Sequence, residues 1–265
     1  RLWMRNINTI NMIRKVLIAN RGEIAVRVMR SCREMGIRSV AVFSEADRTA
    51  RHVLYADEAA LIGPAASKDS YPDIEKIIRA AKQHKVDAIH PGYGFLSENA
   101  DFARRCKEEG IIFIGPSAET MEAMGDKISA RKRMIAAGVP VVPGTQQPLQ
   151  DVGEACRICR EIGFPVMLKA SMGGGGKGMR LIHCEEEVEE AYNAARSESF
   201  SSFGDDTVYL EKFVEGPHHI EFQILGDNHG NVIHLCEREC SVQRRNQKIV
   251  EESPSPFITP ELRQE

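Results

Sequence analysis

The chain has 265 residues, a formal net charge of −3 and 42% hydrophobic residues, enough to bury about 70–75% of its unfolded surface and to form two domains. A charge this near balance gives no electrostatic draw toward nucleic acid or a membrane surface, and the longest apolar runs are too short to span a bilayer. Seven cysteines, an odd number at ordinary density, point to a reducing compartment rather than a disulfide scaffold.

Residues 1–11 are basic, lack acids and match no element of the remaining chain. They read as a leader or non-native extension with the composition of a transit peptide and without the apolar core of a secretion signal. Lys15-Val-Leu-Ile-Ala19 is an apolar strand. Asn20-Arg-Gly-Glu23 comes next, and then a helical pattern at Ile24, Val28, Met29 and Cys32 that stops at Gly36. Ser39-Val-Ala-Val-Phe43 is the second strand. A helix over 73–84 leads to the strand Ala88-Ile-His90, and a helix over 99–109 leads to Ile111-Ile-Phe-Ile114. Strands alternating with helices predict a parallel sheet with right-handed crossovers and ligands at the carboxyl ends of its strands. The fingerprint Gly-x-Gly-x-x-Gly is missing after the first strand, which argues against dinucleotide binding there.

Past Gly125-Asp-Lys127 the pattern changes. A helix is expected from about 128 to 137, an extended linker over 139–144, and an amphipathic helix over 152–162. That helix holds Cys156 and Cys159 at core spacing, so the pair reads as small packing residues rather than zinc ligands. Strands are expected at 165–169, 180–183, 207–210, 219–225 and 231–236, the last two joined as a hairpin by Gly226-Asp-Asn-His-Gly230.

Between the strands at 165–169 and 180–183 lies Lys169-Ala-Ser-Met-Gly-Gly-Gly-Gly-Lys-Gly-Met179. Glycines without side chains can turn several amides toward one anion, so this hairpin loop suits a polyphosphate. No Gly-Lys-Ser/Thr and no helix follow, so it is not the helix-opening phosphate loop. A flexible linker is the plainer alternative, although linkers favour serine over lysine beside glycine. Val208-Tyr-Leu-Glu-Lys-Phe-Val214 reads either as a strand with solvated charges or as one whose backbone reads an adenine with Phe213 and Val214 on its face. His219, Glu221 and Gln223 alternate onto one strand face, suited to solvent or to a ribose and a phosphate. Three cations within 243–248 form either an ion-paired surface or part of a site.

Taken in order, these segments resemble the biotin carboxylase branch of the ATP-grasp family. The resemblance runs through Ile18-Ala-Asn-Arg-Gly-Glu-Ile-Ala25, His90-Pro-Gly-Tyr-Gly-Phe-Leu-Ser-Glu-Asn99, Gly125-Asp-Lys127, Lys169 with its glycine loop, Glu211-Lys212, His219-Ile-Glu221 and Gln243-Arg-Arg-Asn-Gln-Lys248. It implies an α/β chain: a Rossmann-like amino-terminal domain over 12–125 and an ATP-grasp domain over 126–265, an α+β lid with a core truncated at its carboxyl end. Lys127 and Lys169 look like the lysines that hold the ATP phosphates, with Gly175 and Gly176 as flap amides and Met179 beside them. Glu211, Lys212, Phe213 and Val214 look like the adenine-reading strand, and His219 and Gln243 like contacts on the ribose side. Lys248 resembles the catalytic lysine that holds bicarbonate near the γ-phosphate. Asn246 stands where many members carry histidine, an exchange that keeps a donor and loses any positive charge.

The resemblance implies ATP, Mg2+ or Mn2+, and biotin on a carrier protein or domain, with a carboxyltransferase partner and a homodimer at full length. The metal-binding carboxylates are expected beyond residue 265, and none is assigned within the chain. The expected reaction is ATP- and bicarbonate-dependent carboxylation of biotin through carboxyphosphate, in the cytoplasm or alternatively the mitochondrial matrix. The acyl-CoA, pyruvate or other final acceptor would be set by the carboxyltransferase. A carbamoyl-phosphate synthetase-like ligase and an inactive nucleotide-binding fragment are the competing readings.

Overall fold

The computed structural model describes residues 13–264 apart from 126, 173–177, 228 and 246, and it describes Lys127 only through its backbone. Two compact units divide at Gly125 and Asp126. In the first unit, β1 (Lys15–Ile18), α1 (Gly22–Glu34), β2 (Arg38–Ser44), α2 (Arg51–Tyr55), β3 (Glu58–Gly63), α3 (Ile74–Gln83), β4 (Ala88–His90), α4 (Ala100–Glu108), β5 (Ile112–Phe113) and α5 (Ala118–Gly125) follow one another.

The five strands are all parallel, in the order β3-β2-β1-β4-β5. Along β1, Leu17 packs on one face with Val40, Val42, Ile77, Ile89 and Phe102. Val16 and Ile18 pack on the other with Ala25, Met29 and Ala41. Burial on both faces is why the strand is an unbroken apolar run rather than an alternating one. Each such side chain fully buried contributes roughly 1.5–3 kcal/mol.

Helix starts follow local chemistry. Asp73 caps α3 by accepting from Lys76 N at 3.1 Å, and Asn99 caps α4 by accepting from Phe102 N at 2.8 Å. α1 has Arg21 at its N-cap position and no side-chain cap, so its first amides open toward the carboxyl end of β1.

The second unit holds α6 (Lys127–Ala136), α7 (Val152–Ile162), β6 (Val166–Ala170), β7 (Arg180–Ile182), α8 (Val188–Phe203) and β8 (Val208–Lys212). β7, β6 and β8 form an antiparallel sheet in that order, and α7 and α8 pack on it through Cys159, Val188, Tyr192 and Ala195. Asp151 caps α7, and Glu154 in its first turn accepts from Gln150 N, a reciprocal arrangement that fixes the helix start. Beyond them come β9 (Ile220–Gly226), β10 (Val232–Glu239), the short hairpin β11 (Gln243–Arg244) with β12 (Gln247–Lys248), and α9 (Pro260–Gln264). Glu237 of β10 is wholly buried. Arg263 of α9 is its first partner and holds its carboxyl at about 2.

Several elements differ from the sequence reading. β3 and α8 are absent from that reading, as are the short α2, α5, α9 and the β11–β12 hairpin. The segment 139–144, expected as a linker, ends as a paired edge. Thr145 N donates to Leu210 O at 2.9 Å, Lys212 N to Pro143 O at 2.7 Å, and Gly144 bridges Glu211. Cys159 is buried with its thiol pushed up to about 11 by burial, while Cys156 is half-buried, and all seven cysteines are free. No helix among the described residues is long and apolar enough to cross a membrane.

Candidate functional site

In the first unit the strand order reverses between β1 and β4, and the loops after these strands part there to leave a crevice, as open parallel sheets require. A cleft of about 300 Å3 lies here, lined by Asn20, Arg21, Gly22, Glu23, Ile24, Tyr93, Gly94 and Phe95. Asn20 locks its two walls together, its Nδ2 donating to Pro91 O and Tyr93 O at 2.8 Å each. Gly92 must be glycine for this approach, since a Cβ there would stand 2.7 Å from Asn20 Nδ2.

Beneath the cleft, Asp47 is a hub. Its Oδ2 accepts from Arg21 Nε at 2.7 Å and from the Tyr71 hydroxyl at 2.6 Å. The Arg21 bond, more than any other influence, holds the Asp47 carboxyl at about 2. His90 Nδ1 accepts from Gly92 N at 3.0 Å. Burial lowers the affinity of His90 for a second proton, so its neutral ring serves as an acceptor.

In the second unit two clusters form. The first lies across β6 and β8. Lys169 Nζ donates to Glu211 Oε2 at 2.6 Å, both side chains being mostly buried. The base of the glycine-rich loop is closed by Ala170 N donating to Gly178 O at 3.0 Å. The backbone of β6 and β7 therefore delivers the loop as a hairpin, with Met179 half-buried at its return. Phe213 N donates to Pro165 O at 3.2 Å, and Val214 is exposed just past the strand. Lys212 turns away from this group. Its Nζ donates to the carbonyls of Gly163 and Phe164 at 2.9 Å each, neutralising the carboxyl end of α7. Any part Lys212 plays in binding falls to its backbone.

The second cluster lies on β9, β10 and the β11–β12 hairpin. Lys248 Nζ and Arg238 Nη2 both donate to Glu221, and His219 Nδ1 lies 3.1 Å from Gln243 Nε2. The bond to Glu221 raises the proton affinity of Lys248, and the two cations, Lys248 foremost, lower that of Glu221. Gln223 takes no part, bonding to its neighbour's carbonyl. Glu221, Cys240 and Glu251 present ligand atoms within 4.8 Å of one another. Lys248 and Arg238 already occupy these carboxylates, so the trio does not fit a hard cation that demands free oxygen ligands.

The expected positions Lys127 (side chain), Gly175, Gly176 and Asn246 lie outside the described residues. The sequence reading missed Arg131, which reaches Glu211 from α6. It also left the Asn20–Tyr93 cleft out of the candidate residues, although both of its loops belong to the quoted motifs. Its four-residue spacing from Lys127, which puts the two cations one helical turn apart, was the one sequence feature near it, and it does not name Glu211 as a partner.

Residues 12–121 match the model of the biotin carboxylase N-terminal domain, and residues 126–265 match that of the carbamoyl-phosphate synthase L chain ATP-binding domain. The chain belongs to the biotin carboxylase family. The ATP-binding half alone would leave it among ATP-grasp enzymes at large, and the amino-terminal match decides between them. Biotin carboxylase of Allochromatium vinosum is 57% identical over 255 residues, 96% of this chain and 57% of that protein. Pyruvate carboxylase of Bacillus subtilis is 54% identical over 252 residues, 95% of this chain and 22% of that protein. The chain thus spans little more than half the length of the first of these curated relatives and less than a quarter of the second.

The same α/β architecture is found in a solved biotin carboxylase domain dimer, that of the Hydrogenobacter thermophilus 2-oxoglutarate carboxylase in complex with MgADP, ADP and bicarbonate. It has 55% identity and a TM-score of 0.90, with 96% of this chain and 56% of that one covered.

Proposed function

We propose that this chain supplies the nucleotide-holding part of a biotin carboxylase. In this reaction a bicarbonate oxygen attacks the γ-phosphorus of ATP, ADP leaves, and the resulting carboxyphosphate gives its carboxyl group to a ring nitrogen of biotin with release of phosphate. The observation that carries the reading is the Lys169–Glu211 pair beside the closed base of the glycine-rich loop. It places a cation at the end of β6, where the glycine-rich segment begins. Phosphoryl transfer is governed by positioning and charge neutralisation, the two things lysines and backbone amides provide.

Lys248, held by Glu221, is the candidate cation for bicarbonate, and its raised proton affinity keeps it charged at neutral pH. Mg2+ would screen the phosphates, with ligands other than the Glu221–Cys240–Glu251 trio. Biotin would arrive on a carrier protein or domain, and a carboxyltransferase would pass the carboxyl group to its acceptor. The relatives include pyruvate carboxylases and a 2-oxoglutarate carboxylase, and acetyl-CoA carboxylation for fatty acid synthesis is a further destination open to the same half-reaction. A homodimer in a reducing compartment, the cytoplasm, completes the proposal.

Lys169→Ala tests it. In the full-length protein this change should weaken ATP binding by at least about tenfold, the loss of one charge-assisted contact. Unchanged ATP affinity would remove Lys169 from the phosphate site.

A further inference from the structure

Glu211 lies between two cations, and the nucleotide reading uses only one of them. Lys169 Nζ donates to Oε2 at 2.6 Å, and Arg131 Nη1 donates to Oε1 at 3.4 Å. Arg131 stands on α6 one helical turn past Lys127, with its side chain only 9% exposed. Its Nη2 donates to Val142 O, and its Nε has no partner among the described residues. A buried guanidinium with one idle donor and another at the long limit of a hydrogen bond still has capacity for a carboxylate.

We propose that Arg131 is a positioning residue of the nucleotide site, taking over the Glu211 carboxylate when Lys169 turns to the phosphates. The inference rests on the nucleotide reading above and adds a residue and a step to it. Lys169 cannot serve Glu211 and a polyphosphate fully at once. Once it moves, Glu211 is a mostly buried carboxylate beside a second, larger negative charge, an arrangement that repels the ligand and carries a desolvation cost. Arg131 needs to close less than an ångström to restore a short pair, and it is already anchored. Val142 O, which it holds, lies two residues before Gly144, which bridges Glu211 itself. The same side chain therefore ties α6, the 142–145 edge and β8 together, and Glu211 stays neutralised whichever way Lys169 points.

The test compares the affinities of ATP and of adenosine, the latter by competition, in the full-length protein. Arg131→Met and Arg131→Lys are each made with Glu211 present and with Glu211→Gln. Arg131→Met should weaken ATP about tenfold and leave adenosine within about twofold, because only the phosphates call Lys169 away. Arg131→Lys should recover most of the loss. With Glu211→Gln, adding Arg131→Met should change ATP affinity by less than about twofold, the carboxylate it neutralises being gone. Should Arg131→Met not fold, Arg131→Gln carries the same expectations.

Equal ATP affinity in wild type and Arg131→Met would overturn the inference. So would a loss shared equally by ATP and adenosine, or the same tenfold loss with Glu211→Gln, since a purely structural arginine predicts both. Wild-type protein that binds no ATP would refute the nucleotide reading, and the inference with it. ATP binding that survives Arg131→Met refutes the inference alone.

Discussion

Tyr71→Phe removes one oxygen from the base of the crevice in the first unit. Tyr71 is 1% exposed, donates to Asp47 Oδ2 at 2.6 Å and accepts from Ser44 N at 3.1 Å. Its ring stacks on Phe95 at 5.2 Å and keeps that contact in the variant. The β2–β3 ladder shifts register between Phe43 and Ser44, and the Ser44 amide turns to the Tyr71 hydroxyl. Loss of the oxygen therefore removes a bond to a charged acceptor and strands a buried N–H, together about 2–4 kcal/mol after some relaxation. Asp47 retains Arg21, so no bare carboxylate adds to the cost.

Native-state hydrogen exchange resolves this, because peptides covering β1 report the opening of the first unit while peptides covering β6 serve as a control. Exchange over β1 should accelerate roughly 30- to 1,000-fold, at one decade per 1.4 kcal/mol. An acceleration below about threefold over β1 would refute the reasoning, as would an equal change over β6.

Two further outcomes come from the same geometry. The Asp47 carboxyl is held at about 2 against an ordinary 3.8. A depressed carboxyl stabilises the fold fully above its unfolded value and loses that contribution as pH falls through its folded one. Urea unfolding of wild type should therefore lose about 2 kcal/mol between about pH 4 and pH 2 through this group, and Asp47→Asn should flatten that window while being less stable at neutral pH. Gly178 has φ +66°, and an added Cβ would stand 2.8 Å from Ala170 Cβ. Gly178→Ala should open the loop base and weaken ATP binding several-fold, with β1 exchange unchanged. Tight ATP binding in that variant would show that the closed base does not matter.

The first unit's alternation was legible because buried parallel strands are continuous apolar runs between capped helices, and Asp73 and Asn99 mark two of the caps. β3 escaped because it is the sheet edge. Ala59 and Leu61 face outward, and only Ala60 and Ile62 are buried, so Glu-Ala-Ala-Leu-Ile-Gly carries little strand signal. α8 escaped for a related reason. Its buried stripe, Val188, Tyr192, Ala195 and Ser199, has helical spacing, but alanine and serine give too little contrast against the exposed face.

In the candidate site, residues with local motifs were legible, while those recruited across elements were not. Lys169, Glu211, Gln243 and Lys248 sit in short patterns. Arg131 meets Glu211 across a separation of 80 residues, and nothing in its own neighbourhood announces the partner. Lys212 shows the converse, a motif lysine whose ammonium is occupied by the end of α7. On β9 and β10, Phe222, Ile224, Leu225, Val232, Ile233 and Leu235 are all exposed. The hairpin was read correctly from its turn, but its apolar faces have no covering layer among the described residues.

The most direct measurement is phosphate release from ATP by the full-length protein with bicarbonate and free biotin added separately and together, alongside transfer of labelled carbon from bicarbonate to biotin. The account predicts ATP cleavage that requires bicarbonate, rises with biotin, and is matched by label on biotin. Cleavage indifferent to bicarbonate, or bicarbonate-dependent cleavage that never labels biotin, would contradict it.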